Sequence, residues 1–186
     1  VAPHVCPWWV GYFLINPLRK LLENPYKILS PYVGQCMTVM DIGCGMGFFT
    51  LEMARLVGPD GLVIGVDLEE RMLKALEKRA ARLGLAARIR PYRCDSHNLG
   101  EHPPVDFVLA CYVAHEVPDR SSFFSQISAF LKPGGKLLLA EPKLHVSKSE
   151  FEAIVEDALA ASLAHVGESA VRIGRNAEFQ NYIKTK

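Results

Sequence analysis

Short apolar runs alternate along this chain with amphipathic stretches of helical period. Thr38 to Ile42, Leu62 to Val66, Arg88 to Arg93, Val105 to Tyr112 and Lys136 to Ala140 predict strands, being compact runs bounded by turn residues. Between them the apolar spacing changes to that of a helix. Phe49, Met53, Leu56 and Val57 fall on one face of a predicted helix from about Phe48 that stops at Gly58. Met72, Leu73, Leu76, Ala80 and Leu83 form a stripe on a helix from about Glu69, with Gly84 as its stop. Phe123, Phe124, Ile127, Phe130 and Leu131 mark a helix from Asp119. The capping-box pattern Ser147-Lys148-Ser149-Glu150 opens another, predicted to run to about His165 with Phe151, Ile154, Val155, Ala158 and Leu159 inward. Two closing strands are expected, Ala170 to Ile173 and Glu178 to Ile183, around Gly174-Arg175-Asn176.

Alternating strands and helices imply an α/β fold with a largely parallel sheet. Val105 to Tyr112 is almost continuously apolar, as a central strand covered on both faces must be. Pro91 lacks a ladder donor, which places the third strand at an edge. Before the first strand lies a segment of different character. Trp8, Trp9, Tyr12 and Phe13 form an aromatic patch, and Asn16-Pro17 and Asn24-Pro25 each combine a capping residue with a first-turn proline, predicting short helices near 17–23 and 25–30. The expected organisation is one domain over residues 1–186, with 1–36 a helical and aromatic cap and 37–186 the core. No internal repeat or low-complexity segment is evident.

At 186 residues and 49% hydrophobic the chain can bury a substantial core. A net charge of +1 gives no general attraction to nucleic acid or to an anionic membrane. The bases between Arg71 and Arg93 outnumber the acid Glu77, and read as a wet helix face and a guarded edge strand. No apolar run approaches the ~20 residues of a membrane span, and no signal peptide is recognised. Five cysteines without a paired spacing argue against a disulfide framework or a zinc knuckle, and reduced thiols in the cytoplasm are the expectation. No acidic triplet or His/Cys cluster marks a metal site; His97 and His102 fall in a polar loop.

The chemistry concentrates where the first strand meets Gly43-Cys44-Gly45-Met46-Gly47. A dinucleotide loop would carry a small residue at position 48, where helix presses on strand; Phe48 stands there instead. Asp41, expected at the mouth of the loop, would repel a pyrophosphate and suit a cationic ligand. Asp67 ends the second strand, where an acid can accept from both ribose hydroxyls, and Asp95 with Ser96 follows the third, placed for an adenine amino group. These acids share the carboxyl edge of the sheet, the ligand-binding edge of open α/β folds.

In Asp41 to Gly47, Asp67, Asp95-Ser96, Val105 to Cys111 and Leu131-Lys132-Pro133-Gly134-Gly135-Lys136-Leu137, the chain resembles class I S-adenosylmethionine-dependent methyltransferases. The likeness covers about residues 36–145 well and the tail loosely. It implies a three-layer Rossmann-like fold whose seven-stranded sheet is ordered 3-2-1-4-5-7-6, with strand seven antiparallel. It also implies cofactor-binding roles for Asp41, Gly43, Cys44, Gly45, Gly47, Asp67, Leu68, Met72, Asp95, Ser96 and Cys111. Methyl transfer to a small-molecule acceptor is the expected activity, proceeding mainly by alignment and desolvation. His115 is the candidate base; Trp8, Trp9, Tyr12, Tyr112 and Glu116 are the candidate acceptor-side residues. Cys6, Cys44 and Cys111 leave open a thiol- or metalloid-directed branch, since soft thiolates suit arsenite. A non-catalytic S-adenosylmethionine-binding protein and a dinucleotide oxidoreductase are the readings from other classes. The expected state is monomer or homodimer.

Overall fold

A computed structural model describes residues 23–169 and 174–182. Helix α1 (Pro25–Leu29) is capped by Asn24, whose Oδ1 accepts from the Lys27 amide at 3.2 Å. The expected helix near 17–23 and the Trp8-Trp9-Tyr12 patch lie outside the described residues. Strands β1 (Thr38–Ile42), β2 (Leu62–Asp67), β3 (Ile89–Arg93), β4 (Val105–Cys111) and β5 (Leu131–Glu141) are parallel. With β6 (Leu163–Gly167) and β7 (Arg175–Asn181) they form one sheet in the order β3-β2-β1-β4-β5-β7-β6. Strand β7 runs antiparallel to both neighbours. Order and direction match the sequence expectation, as does the edge position of the Pro91 strand.

Period-two alternation of the strands sorts their side chains into two cores. Val39, Val63, Phe107, Leu109 and Leu138 face one way, towards α1, α2 (Thr50–Leu56) and α3 (Glu70–Arg82). Met40, Ile64, Val108, Leu137 and Leu139 face the other, towards α4 (Arg120–Phe130) and α5 (Lys148–Ala160). Because β4 feeds both cores, Phe107, Val108 and Leu109 are each fully buried. On α3 only Leu73, Leu76 and Ala80 of the expected stripe are buried; Leu83 is half-exposed at the helix end, and Met72 turns towards the ligand edge.

Strand β5 begins earlier than expected. Leu131 pairs with Val105, and the register then slips so that Lys136 pairs with Phe107. Residues 132–135 therefore bulge opposite Asp106, and Lys132 Nζ reaches back to that carboxylate at 2.8 and 2.9 Å.

The largest departure is after α5. The helix was expected to reach His165, but it stops at Ala160, and Leu163–Gly167 is the sixth strand. Ser162 adopts φ 66°, which ends helical hydrogen bonding and turns the chain. Leu163 is then buried beside β7, paired with Asn181, and His165 pairs with Phe179. Helical periodicity in Leu159 to His165 was outweighed by edge pairing that only the assembled sheet offers. The expected strand at 170–173 lies outside the described residues, and β7 starts at Arg175 rather than Glu178.

Candidate active site

At the carboxyl edge of the sheet a cavity of about 400 Å³ opens between the loops, a volume typical of small-molecule sites. Over β1, β2 and β3 its walls are Gly43, Gly45, Asp67, Leu68, Met72 and residues 94–99. Over β4 and β5 they are Tyr112, Val113, His115 to Asp119, Pro142 and His145, with Phe123 and Gln126 contributed by α4.

The glycine loop is held by its neighbours. Both the Gly43 and Cys44 amides donate to the Val66 carbonyl, at 2.8 and 3.0 Å. Gly45 donates to Asp67 Oδ2 at 2.8 Å, while Asp67 Oδ1 accepts from the Glu69 amide at 2.9 Å. The Arg79 guanidinium, from α3, donates to the Met46 carbonyl. Gly47, at φ 84°, is where helix and loop meet most closely: a Cβ there would lie 2.4 Å from Leu76 Cδ1. The tight packing that a dinucleotide loop assigns to its third small residue is thus met one position before Phe48, which packs edge-on against Phe49.

Asp67 is half-buried, and burial raises its pKa, aided by the Glu69 charge and opposed by the amides of Glu69, Gly45 and Leu68. A carboxylate has about four acceptor sites, so both oxygens retain capacity for hydroxyls of a ligand. Asp67 does not cap α3; Glu69 does, through its own carboxylate. Asp95 folds its loop by accepting from the His97 and Asn98 amides at 2.8 and 2.7 Å. Gln126 fixes the same loop from α4, accepting from the Leu99 amide at 2.8 Å and donating to the His97 carbonyl at 3.0 Å. His102 bonds the Leu99 carbonyl at 2.8 Å and lies between the rings of Tyr92 and Phe130.

Gly43, Gly45, Asp67, Leu68, Met72, Asp95, Ser96, Tyr112, His115 and Glu116 all line the cavity. Asp41, Cys44, Gly47 and Cys111 are not among its lining residues. The expectation that Asp41 stands at the loop's mouth is corrected: it is buried beneath the loop, accepting from Thr50 Oγ1 at 2.6 Å. Strand alternation puts it on the α2 face rather than at the strand end. Cys44 likewise turns inward, its sulfur 3.3 Å from where a Cβ on Gly65 would sit. Burial raises its thiol pKa well above the ordinary value, with Asp41 and Asp67 adding to the rise. Burial also lifts Cys94, on the cavity wall, to about 11. Among the described residues no group of His, Cys, Asp and Glu is arranged to hold a metal ion.

The most notable addition is Glu141, the last residue of β5, with no exposed surface. Its Oε1 accepts from the Ala114 amide at 2.8 Å, and its Oε2 meets His115 Nδ1 at 2.5 Å. His115 sits in a single 3₁₀ turn, Ala114–Glu116, after β4. Its pKa is raised, first by the hydrogen bond to Glu141, against the opposing effect of burial. Glu116 beside it is also raised, by burial. An acid at the end of an apolar strand was the available sequence signal for Glu141; its partner twenty-six positions away was not legible. Tyr112, at φ 63°, hydrogen-bonds Glu23 and so ties the cavity wall to the segment before α1.

A sheet of this order, with a glycine loop after β1 and acids after β2 and β3, defines a Rossmann-like methyltransferase fold. Residues 34–181 match the family model of a methyltransferase domain, and the chain belongs to that family. It is similar to a ubiquinone biosynthesis O-methyltransferase of Leptothrix cholodnii, 30% identical over 139 residues, covering 72% of this chain and 57% of that protein. It is also similar to a ubiquinone/menaquinone biosynthesis C-methyltransferase of Marinomonas, at 31% over 109 residues, 58% of this chain and 43% of that protein. The chain thus spans about half the length of these curated relatives. Among solved structures, a SAM-dependent methyltransferase of Aquifex aeolicus superposes with a TM-score of 0.78 at 22% identity, covering 95% of this chain and 98% of that one. That likeness shows the fold.

The cofactor of the family is S-adenosylmethionine, and the donor set fits it. Gly45, at φ 52°, has nothing within 4 Å of where a Cβ would project. Its bare backbone therefore leaves room for a ligand to approach. Leu68, Met72 and Leu99 present apolar side chains on the cavity wall, and Asp67, Asp95 and Glu116 place carboxyl groups there.

Proposed function

We propose that this domain transfers the methyl group of S-adenosylmethionine to a small, partly apolar acceptor. One observation supports the reading above the rest: a single cavity joins the glycine loop and Asp67 on one side to His115 and Glu116 on the other. The sheet order sets the division. Strands β1 and β4 are neighbours, about 4.8 Å apart, so a ligand over β1, β2 and β3 would lie beside one over β4 and β5. The cofactor side is assigned to Gly43, Gly45, Asp67, Leu68, Met72, Asp95 and Ser96, and the acceptor side to Tyr112, His115 and Glu116.

When bound, S-adenosylmethionine supplies a methyl group already activated on a sulfonium. The protein is left with binding, alignment, exclusion of water and, where the acceptor carries a proton, its removal. Cofactor recognition by Asp67 is expected to be through ribose hydroxyls, in the place now shared with the Gly45 amide. The acceptor half is walled by Val113, Val117, Pro118, Phe123 and Pro142, which suits an apolar body over a protein chain. Among the described residues no helix is long and apolar enough to cross a membrane, and we place the domain in the cytoplasm, acting without nucleic acid as monomer or homodimer.

The thiol-directed alternative has weaker support. Of the three cysteines it invokes, Cys44 points into the core, Cys111 is not on the cavity wall, and Cys6 lies outside the described residues.

Calorimetry with S-adenosylmethionine and S-adenosylhomocysteine tests the cofactor half, and release of S-adenosylhomocysteine across a panel of small acceptors tests the rest. Binding without turnover on any acceptor would leave a non-catalytic binding protein; failure to bind either ligand would sink the proposal.

A further inference from the structure

From the contacts that α3 makes with the glycine loop, we infer that Arg79 is a positioning residue for cofactor binding: its guanidinium holds the Met46 carbonyl, and with it the Gly45-Met46 tip, in the form that receives S-adenosylmethionine. The inference rests on the methyl-transfer reading above and adds to it a residue outside the cavity on which cofactor affinity depends.

The base and the tip of the loop are held differently. At the base, the Gly43 and Cys44 amides donate to the Val66 carbonyl of β2, at 2.8 and 3.0 Å. The loop then closes on itself, the Gly47 amide donating to the Cys44 carbonyl at 2.9 Å. Two side chains from beyond the loop reach the backbone of its tip. Asp67 Oδ2 accepts from the Gly45 amide at 2.8 Å, and the Arg79 guanidinium donates to the Met46 carbonyl. Arg79 lies one turn beyond Leu76 on α3, so the two side chains share a face. Leu76 Cδ1 lies 2.4 Å from where a Gly47 Cβ would sit, and Arg79 bonds the residue before it. Met46 is buried, and a carbonyl there is costly to leave unpaired. Burial lowers the Arg79 pKa from its ordinary value, yet a guanidinium stays charged. A bond from a cation is roughly twice as strong as a neutral one.

Asp67 and Arg79 are not equivalent restraints. Asp67 is on the cavity wall and, on the methyl-transfer reading, must also accept from ribose hydroxyls. A carboxylate shared among more donors holds each of them less firmly, so its grip on the Gly45 amide weakens as the ligand arrives. Arg79 is not among the lining residues, and no ligand in the cavity competes for its bond to Met46. It is the restraint that persists through binding. Glycines flank Met46 on both sides, and they have the most conformational freedom to lose. Holding the carbonyl between them in advance removes part of that ordering cost from the binding step. Loss of Arg79 therefore loosens the tip in the free protein. It weakens cofactor binding without slowing the chemistry, so that KM for S-adenosylmethionine rises while kcat is retained.

Two measurements test this, one of them without any ligand. Amide hydrogen exchange on the free protein, followed by NMR, should be about tenfold or more faster at Gly45 and Gly47 in R79M than in the parent. The Met53 amide, bonded to the Phe49 carbonyl at 2.9 Å, should be unchanged. Equal acceleration at Met53 would signal general loss of stability, and no acceleration at Gly45 and Gly47 would show a tip that does not need the bond; either result overturns the positioning role. In calorimetry, R79M should bind S-adenosylhomocysteine about tenfold or more weakly. R79K, which keeps a charged donor, should return to within about threefold of the parent. R82M removes the same charge one turn further along, from an exposed position, and should bind as the parent does. Unchanged affinity in R79M, an equal loss in R82M, or a loss in R79M confined to kcat would overturn the inference. R79Q carries both measurements should R79M fail to fold. A parent that binds neither S-adenosyl ligand would end the cofactor reading, and the exchange rates would still decide the loop bond separately.

Discussion

Gly47 and Gly45 both have positive φ, and the structure gives them different tasks. In Gly47→Ala the new methyl would lie 2.4 Å from Leu76 Cδ1 and 3.3 Å from Leu51 Cγ, with φ at 84°. Leu76 is completely buried and cannot swing into solvent. The left-handed backbone costs about 1–2 kcal/mol with a Cβ, and forcing a methyl into a packed core costs about 1–3 kcal/mol more. The sum, about 2–5 kcal/mol, should lower the urea midpoint by about 1–2.5 M at a slope of about 2 kcal/mol per M. In Gly45→Ala, φ is 52° and nothing lies within 4 Å of the added carbon. Its stability cost should therefore be confined to about 1–2 kcal/mol of backbone strain. The methyl would instead intrude on the ligand cavity and weaken S-adenosylhomocysteine binding by about tenfold or more, equivalent to about 1.4 kcal/mol. Urea unfolding followed by circular dichroism, with calorimetry on the folded variants, reads both effects. A Gly47→Ala midpoint within error of the parent, or a Gly45→Ala midpoint below that of Gly47→Ala, would refute the assignment of packing to one glycine and binding to the other.

Three further outcomes are expected. Tyr32→Phe keeps the stack on Phe107, with ring centroids 5.2 Å apart, but removes the hydroxyl that bonds Ser169 and Glu178; thermal unfolding should show a loss of about 1–2 kcal/mol, and no loss would deny those bonds a stabilising role. His115 has a raised pKa in the folded state, so its contribution to stability is complete below about 6.5, the unfolded value, and is lost as pH rises through the folded value. The drop in unfolding free energy between pH 6 and pH 9 should accordingly be smaller in H115Q than in the parent, and identical pH slopes would contradict the pairing. Alkylation by iodoacetamide at neutral pH should modify exposed Cys36 before Cys94, whose thiol is lifted to about 11, with buried Cys44 reacting only on unfolding; peptide mass spectrometry gives the order, and modification of Cys94 as fast as Cys36 would count against its protected thiol.

Local signals were read correctly where local physics decides. Asn24 before Pro25 capped a helix, Pro91 lay in an edge strand, and the continuous apolar run of β4 became the strand that feeds both cores. Ser162 and Leu163 show the opposite case. Their surroundings read as the end of a helix, but Ser162 turns the chain and the free edge of β7 draws Leu163 into a strand instead. Asp41 was recognised as an important acid and misplaced at the loop's mouth, because one residue of alternation separates the cavity from the core.

What the sequence by itself determined was the order of elements and the composition of the cofactor edge. Strand ends and the acids beside them are set by short-range pattern, and a parallel sheet places those ends together whatever lies between. Only the tertiary structure decided that His115 Nδ1 is held by a buried acid. That depends on Glu141 arriving from β5 beside the turn after β4, a contact between neighbouring strands that are distant in the chain. Glycine roles divided in the same way: φ above zero suits any of them, but the neighbour that excludes a Cβ at Gly47, Leu76, comes from another helix.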